Sequence, residues 1–335
     1  VLGATSGDTG SAAIEACRGR NRLSVVMLHP DGRVSDVQRR QMTTVADENV
    51  LNIAIDGTFD DCQRLVKACF SDHVVAGEVG LTAVNSINWA RVLAQTVYYA
   101  WASLQLGVQE NGLVSKVHFS VPTGNFGDIL AGYYARNMGF PVGQLVIAVN
   151  ENDILYRTRE TGQYALRSVV ATSSPSMDIQ ISSNFERYLR LMTGSDGRIK
   201  DMMTALADGG LLSLTPDEQH HMKADFLAGR VSNAAAKATI QDVWQAYSYA
   251  MDPHTAVGYA ALLQNDKALP GLRVTLATAH PAKFADAMHS ALGAESEALT
   301  RLPEYMKSLM EQAEHYERMA NNVQALKERV RGHLS

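Results

Sequence analysis

The sequence lacks the features that mark nucleic-acid-binding and membrane proteins. Its 335 residues carry a formal net charge of −5 and contain no lysine and arginine cluster, so no nucleic-acid partner is expected. No apolar run reaches the roughly 20 residues that span a bilayer, and no signal-peptide pattern is visible. We therefore expect a cytoplasmic protein without a membrane partner.

The sequence also has few cysteines, and none of them lies in a paired motif. The three cysteines form no CxxC pair, and they are Cys17, Cys62 and Cys69. Such cysteines are typical of a reducing compartment, where they pack as small hydrophobic residues. No motif in the sequence predicts a metal site.

The sequence does contain enough apolar residues for two domains. Hydrophobic residues make up 46% of the chain and charged residues 19%. Because Gly77 and Gly80 interrupt the pattern, we predict a smaller domain over residues 1–78 and a larger one over residues 79–335 that ends in a helical tail. The opening Val1-Leu2-Gly3-Ala4 is typical of the end of a strand, so we expect the start of the smaller domain to lie upstream.

Strand-like apolar segments alternate with helix-length segments. Strands are predicted at residues 24–28, 50–55, 117–121, 145–149 and 273–277. Helices are predicted at residues 9–20, 34–44, 59–71, 89–106 and 129–137. Thr58, followed by Asp60 and Asp61, is a helix start signal. The alternation predicts an α/β fold in which helices flank parallel sheets.

One glycine turn joins a predicted strand to a predicted helix. Its sequence is Thr123-Gly124-Asn125-Phe126-Gly127-Asp128. The glycines let the backbone approach an anion, and we expect an asparagine or aspartate to cap the helix whose N–H groups face that anion. The turn indicates phosphate binding, and the alternative is an ordinary strand-to-helix connection.

Two further loops place polar side chains at helix starts. In the loop Ala4-Thr5-Ser6-Gly7-Asp8-Thr9-Gly10, hydroxyl groups accompany the backbone donors and suit a carboxylate or phosphate. In Asn85-Ser86-Ile87-Asn88-Trp89-Ala90-Arg91, the arginine can add a bidentate contact to an anion. The alternatives are a serine- and threonine-rich cap in the first loop and a capping asparagine with a surface arginine in the second.

Polar residues also follow the last predicted strand, in Ala277-Thr278-Ala279-His280-Pro281. The carboxyl ends of parallel strands are where α/β sheets bind ligands. We expect His280 to be a hydrogen-bonded structural residue. The segment 252–258 is predicted to be a turn and helix start without a direct chemical role.

Six segments, taken in chain order, resemble threonine synthase. They span residues 4–10, 29–35, 41–44, 85–88, 124–128 and 279–284. The family consists of fold-type II pyridoxal-phosphate enzymes with a two-domain, tryptophan synthase β-like fold. The resemblance implies a lyase that converts the small molecule O-phospho-L-homoserine and water to L-threonine and phosphate, the last step of threonine biosynthesis.

The resemblance also implies a set of residues that bind the cofactor, pyridoxal 5′-phosphate. Those that would hold its phosphate are Gly124, Asn125, Phe126, Gly127 and Asp128. Phe126 would lie beside the ring, and Asp128 would mainly cap the helix with its charge turned away from the phosphate. The Thr278 hydroxyl would meet the pyridine nitrogen, and Asp8 would lie near the phenolic oxygen.

The substrate would be held at both of its anionic ends. The loop from Ser6 to Thr9 would bind its carboxylate. The residues that would hold its phosphate are Thr9, Asn85, Ser86 and Arg91. Holding both ends would fix the reacting protons in line with a base.

The family's Schiff-base lysine lies in an aromatic-Lys-Asp segment upstream of the first glycine loop. None of the nine lysines of this chain has such a context, and Lys283, the nearest to a motif, belongs to a turn. We therefore expect the lysine upstream of Val1 and no catalytic residue within these 335 residues. The expectation is that this chain alone is inactive and that the full gene product is active.

Two other functions stay open at this point. One is a sibling fold-type II lyase, such as a threonine dehydratase or a cysteine synthase, which needs no site for a substrate phosphate. The other is a non-catalytic, threonine-synthase-like protein that binds ligands in the same anion pockets.

Overall fold

The computed structural model describes residues 1–5, 7–85, 87–107 and 114–334. The strands are β1 (Leu2–Ala4), β2 (Val25–Pro30), β3 (Val50–Asp56), β4 (Val117–Pro122), β5 (Val142–Val149), β6 (Gln163–Ala165), β7 (Leu211–Ser213), β8 (Phe226–Arg230), β9 (Arg273–Thr275) and β10 (Glu317–Ala320). All five predicted strands are present, so the strand prediction is confirmed where it was made.

The helices begin and end as follows. They are α1 (Asp8–Cys17), α2 (Asp36–Thr43), α3 (Phe59–Ser71), α4 (His73–Val79), α5 (Trp89–Leu106), α6 (Gly127–Asn137), α7 (Ile154–Thr161), α8 (Phe185–Thr193), α9 (Asp196–Gly209), α10 (Pro216–Asp225), α11 (Asn233–Tyr247), α12 (Pro253–Gln264), α13 (Ala285–Leu292), α14 (Ser296–Leu299), α15 (Glu304–Lys307) and α16 (Val323–Leu334). In the described ranges, none of them is both long and apolar enough to cross a membrane.

Helix α3 shows how local signals set an element. Thr58 accepts a hydrogen bond from the Asp61 N–H at 3.2 Å, and Asp61 Oδ2 accepts one from the Thr58 N–H at 2.9 Å. This reciprocal pair satisfies two of the donors that a helix start leaves open. The predicted bounds of 59–71 are confirmed.

The chain forms two compact units, Val1–Asn88 with Leu302–Ser335, and Trp89–Arg301. This division differs from the predicted domains, because residues 79–88 and the C-terminal segment belong to the first unit. Residues 79–88 belong to the first unit because a parallel bridge joins Ala83 to Leu2. The C-terminal segment belongs to it because strand β10 pairs with β3.

The sheet of the first unit has the order β1-β2-β3-β10, and all its neighbouring strands are parallel. Along β2, Val26 and Leu28 pack in a cluster with α3 and α16. Val25 and Met27 pack in a second cluster with α1 and α2. Because helices cover both faces of the sheet, successive residues of β2 from Val25 to Leu28 are apolar rather than alternately apolar and polar.

The segment before β10 is fastened to α2 by Glu314. Its carboxylate accepts hydrogen bonds from Arg39 at 2.8 and 3.0 Å and from the Thr43 hydroxyl at 2.8 Å. The Arg39 guanidinium lowers the pKa of Glu314 to about 2. Strand β10 then places Met319 opposite Ile55. The predicted helical tail is therefore wrong in part, because one of its segments completes a sheet.

The sheet of the second unit has the order β8-β5-β4-β9, again all parallel. Helices α5 and α6 pack on one of its faces and α12 on the other. Helix α12 lies close to the strands, since a Cβ on Gly258 would be 2.9 Å from Thr275 Cγ2. The Ser120 hydroxyl also donates to the Gly258 carbonyl at 2.6 Å. This contact holds the middle of α12 against the sheet.

Replacing Leu326 of α16 tests whether the C-terminal segment is part of the first core. Leu326 is fully buried with Leu65 and Val330. Leu326→Ala should lower the free energy of unfolding by about 3 kcal/mol, because it removes buried methyl groups and leaves a cavity. Hydrogen exchange of the β2 and β3 amides reports that loss.

The control is Gln324→Ala at an exposed position of the same helix, which should change the free energy by less than about 0.5 kcal/mol. Unchanged exchange in β2 and β3 of Leu326→Ala would show that α16 does not stabilise this unit.

Candidate functional site

The glycine turn after β4 forms the N-terminus of α6. Thr123 still donates its N–H to the Ala148 carbonyl of β5 at 2.8 Å, so the loop leaves the sheet only after this residue. Phe126 occupies the N-cap position with a φ of 62°, and its side chain caps nothing. The predicted asparagine or aspartate cap is wrong, because Asp128 lies inside the first turn of α6.

The backbone donors of this turn are available to a ligand. Within the described ranges, no oxygen accepts a hydrogen bond from the N–H groups of Asn125, Phe126, Gly127 or Asp128. The carbonyl oxygens at the start of the turn are bonded, because the Ser182 hydroxyl donates to that of Gly124 and the Asn184 N–H donates to that of Asn125 at 3.0 Å. Four N–H groups without an acceptor among the described residues, at the positive end of a helix dipole, are suited to an anion.

The Phe126 side chain is part of the hydrophobic core. It is 1% exposed, and its ring centroid lies 5.3 Å from that of Phe185 and 5.5 Å from that of Phe226. This burial contradicts the predicted place of Phe126 beside a cofactor ring. A left-handed conformation costs a bulky residue about 1–2 kcal/mol, which the aromatic contacts offset.

Asp128 contacts α5. The buried Tyr99 hydroxyl lies 2.9 Å from the Asp128 carbonyl oxygen and 3.1 Å from its Oδ1. Burial raises the pKa of Asp128 to about 6, although the Tyr99 hydrogen bond opposes the shift. The carboxyl group thus contacts α5, and its turning away from a bound phosphate stays a prediction.

Two segments hold the turn in place, and the sequence analysis missed both. A Cβ on Gly124 would lie 3.0 Å from the Ser176 carbonyl oxygen and 3.3 Å from Met177 Cα, so a larger residue would crowd this backbone. Before α8, the Ser183 hydroxyl donates to Asn125 Oδ1 at 3.0 Å. The signal that could have identified this second segment is the polar run Ser182-Ser183-Asn184 before an amphipathic helix.

Thr278 lies at the same edge of the second sheet. It follows β9, the parallel neighbour of β4, so it and the Gly124 turn both lie beyond the carboxyl ends of adjacent strands. The Thr278 N–H donates to Thr255 Oγ1 at 3.3 Å, and its side chain is exposed. Its contact with a ring nitrogen stays a prediction. His280 caps the following 3-10 helix through Nδ1, which confirms its structural role.

In the first unit, the loop before α1 is organised by Thr5. Its buried hydroxyl accepts hydrogen bonds from the N–H groups of Gly7 and Gly10, both at 2.9 Å. The predicted ligand role of the Thr5 hydroxyl is therefore wrong. Gly7 has a φ of 151°, and a Cβ there would lie 2.5 Å from Gln38. Gln38 also donates to Asp8 Oδ1 at 3.2 Å, a contact that the sequence analysis missed.

Asn85 shares a sheet edge with this loop. The parallel bridge from Leu2 to Ala83 sets residues 82–85 alongside β1, so Asn85 and the loop leave the sheet together. Asn85 Oδ1 accepts from the Ile87 N–H at 3.1 Å. Thr9 lies half-buried in the first turn of α1. The structure thus brings Asp8, Thr9 and Asn85 to one edge of the first sheet.

The remaining predicted substrate residues are Arg91, Ser6 and Ser86. Arg91 lies half-buried in the first turn of α5, and burial lowers the pKa of its guanidinium. A partly desolvated cation is stabilised by an anion beside it. Ser6 and Ser86 lie outside the described residues.

Asp128→Asn tests the raised pKa. A carboxyl group whose folded-state pKa is raised contributes stability at low pH that is lost as the pH rises through about 6. The amide stays neutral and keeps an oxygen for Tyr99, so the variant should gain about 2 kcal/mol in free energy of unfolding at pH 8 and almost nothing near pH 4. Denaturation curves at both pH values measure the difference, and equal gains would contradict the shift.

Two family models match the chain. The model described as pyridoxal-phosphate dependent enzyme matches residues 1–216, and the one described as threonine synthase, C-terminal, matches residues 255–330. The threonine synthase of Pseudomonas aeruginosa is 46% identical over 315 residues, which cover 94% of this chain and 66% of that protein. The threonine synthase of Saccharomyces cerevisiae is 46% identical over 333 residues, which cover 92% of this chain and 64% of that protein.

A solved structure agrees with these sequence matches. The pyridoxal-phosphate-bound threonine synthase from Brucella melitensis has a TM-score of 0.91 and 45% identity, and the match covers 99% of this chain and 70% of that one. The chain spans slightly less than two thirds of the two curated relatives. The resemblance and the predicted α/β fold class are confirmed, and the chain belongs to the threonine synthase family of fold-type II pyridoxal-phosphate enzymes.

Proposed function

We propose that this chain carries the ligand-binding residues of a threonine synthase, which converts O-phospho-L-homoserine and water to L-threonine and phosphate. The observation that supports this most directly is the turn of residues 124–128. It offers four backbone N–H groups that no described residue accepts from, at the carboxyl edge of a parallel sheet, and such donors suit a bound phosphate. Membership of the family supplies the reaction class.

The turn fits the phosphate of pyridoxal 5′-phosphate. The backbone of Asn125 to Asp128 would donate to the phosphate oxygens, and the crowding at Gly124 keeps side-chain atoms out of the turn. Thr278, at the carboxyl end of the neighbouring strand, would offer a neutral hydroxyl to the pyridine nitrogen. When bound, the cofactor supplies the electron sink for removal of the substrate Cα proton.

Side chains that can contact anions would bind the substrate. Asp8, held by Gln38, would lie near the phenolic oxygen of the cofactor. Thr9, Asn85 and Arg91, with Ser6 and Ser86, would bind the carboxylate and phosphate of the substrate. Fixing both ends orients the reacting carbon atoms. A guanidinium at the leaving phosphate also stabilises the charge that develops as it departs.

Turnover of phosphohomoserine tests the proposal. The product of the complete gene is loaded with pyridoxal phosphate and mixed with O-phospho-L-homoserine, and threonine and phosphate are assayed. We expect both products in equal amounts, together with the visible absorbance of bound cofactor. Protein that shows neither absorbance nor turnover would instead be a binding protein.

The 335-residue chain is assayed in parallel. None of its nine lysines precedes the loop of residues 5–10, where the family pattern has the cofactor-bonding lysine. We propose no catalytic base among these nine, so the chain by itself should release no phosphate. Phosphate release by the chain alone would contradict that assignment.

Arg91→Ala distinguishes threonine synthase from a sibling lyase that acts on an unphosphorylated amino acid. Loss of a charge-assisted hydrogen bond should raise the KM for phosphohomoserine about 10- to 100-fold. Arg91→Lys keeps the charge but loses the planar guanidinium, so its KM should lie between those of the unsubstituted protein and Arg91→Ala. The affinity for pyridoxal phosphate should stay the same in both variants. An unchanged KM in Arg91→Ala would remove Arg91 from the phosphate site.

A further inference from the structure

A buried polar network at the start of α12 is used by none of the predicted roles. Its members are Asp252, His254 and Thr255, each at most 3% exposed. The Asp252 carboxylate caps α12, since Oδ1 accepts from the N–H groups of His254 at 2.9 Å and Thr255 at 3.4 Å. The sequence predicts a turn and helix start here, without a direct chemical role.

The side-chain bonds of the network go beyond helix capping. His254 Nδ1 lies 3.0 Å from Asp252 Oδ1, and the Thr255 hydroxyl donates to Asp252 Oδ2. Capping the helix requires only the two bonds from backbone N–H groups, so the two side-chain contacts are additional to the cap. They fix the rotamers of His254 and Thr255 and leave each side chain with an acceptor for one further hydrogen bond, which is Nε2 of His254 and the lone pairs of Oγ1 of Thr255.

The imidazole of His254 reaches the segment that packs on the phosphate turn. Its Nε2 accepts a hydrogen bond from the Ser176 N–H at 3.2 Å. Because a backbone N–H can only donate and a carboxylate can only accept, the imidazole is neutral with its proton on Nδ1. Ser176 is the residue whose carbonyl oxygen lies 3.0 Å from the position of a Cβ on Gly124.

The hydroxyl of Thr255 reaches the other end of the predicted cofactor site. It accepts the hydrogen bond from the Thr278 N–H at 3.3 Å. One buried carboxylate therefore supports two separate connections. The first runs through His254 to Ser176 and Gly124, and the second runs through Thr255 to Thr278.

We infer that Asp252, His254 and Thr255 are positioning residues that fix the spacing between the phosphate turn and the Thr278 hydroxyl. The inference rests on the proposed function, in which these two segments hold opposite ends of pyridoxal phosphate. Helix α12 is suited to this task because Gly258 brings it against β4 and β9, the strands that lead into both segments. The cofactor then meets donors whose separation is set before it binds.

The two connections are tested separately in the product of the complete gene, loaded with pyridoxal phosphate. Thr255→Val keeps the shape of the side chain but releases Thr278, so it should shift the absorption maximum of the bound ring. His254→Phe keeps a ring beside Phe284 but releases Ser176, so it should shift the ³¹P resonance of the bound phosphate. Each should weaken pyridoxal-phosphate binding about 5- to 10-fold, the effect of losing one buried hydrogen bond.

Matched variants separate positioning from stability. Thr255→Ser keeps the hydroxyl, so its absorption maximum and its affinity for pyridoxal phosphate should equal those of the unsubstituted protein. Asp252→Ala removes both carboxylate oxygens, so it breaks both connections and should shift the absorption and the ³¹P resonance together. Thermal melting of each variant reports the loss of stability independently. If Thr255→Val does not fold, His254→Phe still tests the inference.

The inference is overturned if both variants bind pyridoxal phosphate with unchanged affinity, absorption and ³¹P resonance, whatever their melting temperatures. It is also overturned if either variant shifts both signals equally, because a general loosening of the second unit would do that. Failure of the proposed function looks different. In that case the unsubstituted protein itself would bind no pyridoxal phosphate.

Discussion

The backbone N–H groups at the start of α6 impose the constraint on which the second unit depends. A helix start that is half-buried and has no side-chain cap leaves donors that must find an acceptor in solvent or in a ligand. Phe126 maintains this uncapped turn, because its left-handed backbone is stabilised by a ring that the aromatic core surrounds. Phe126 thus has two roles, because its side chain packs in the core and its N–H is one of the donors that we propose for the phosphate.

Around this turn, the structure uses polar contacts to hold backbone rather than ligand. Ser182 and Asn184 bond the carbonyl oxygens of the turn, and Thr5 does the same for the N–H groups of the loop before α1. The Asp252 network extends this support to Ser176 and Thr278. Many of the polar residues near the predicted sites therefore act on the geometry of other groups, which leaves a smaller set to contact ligands.

Much of the fold could be predicted where one strong local signal was present. The start of α3 follows from the Thr58 capping box, and β4 follows from a largely apolar run in a sheet whose two faces are both buried. Strands β8 and β10 were missed for a physical reason. The first contains Gly229 and packs closely on α12, and the second carries Glu317 and Arg318 at the edge of its sheet, so neither shows a long apolar run.

The sequence by itself determined the α/β class, which depends on periodicity, and the family and the order of the predicted anion-binding loops, which depend on short motifs. Only the tertiary structure decided what each side chain in those loops contacts. Whether Phe126 packs in the core, whether Thr5 bonds its own loop, and whether Asp252 joins Ser176 to Thr278 all depend on neighbours far away in the chain. Those neighbours depend on how the strands and helices pack, and the local sequence around each residue does not specify that packing.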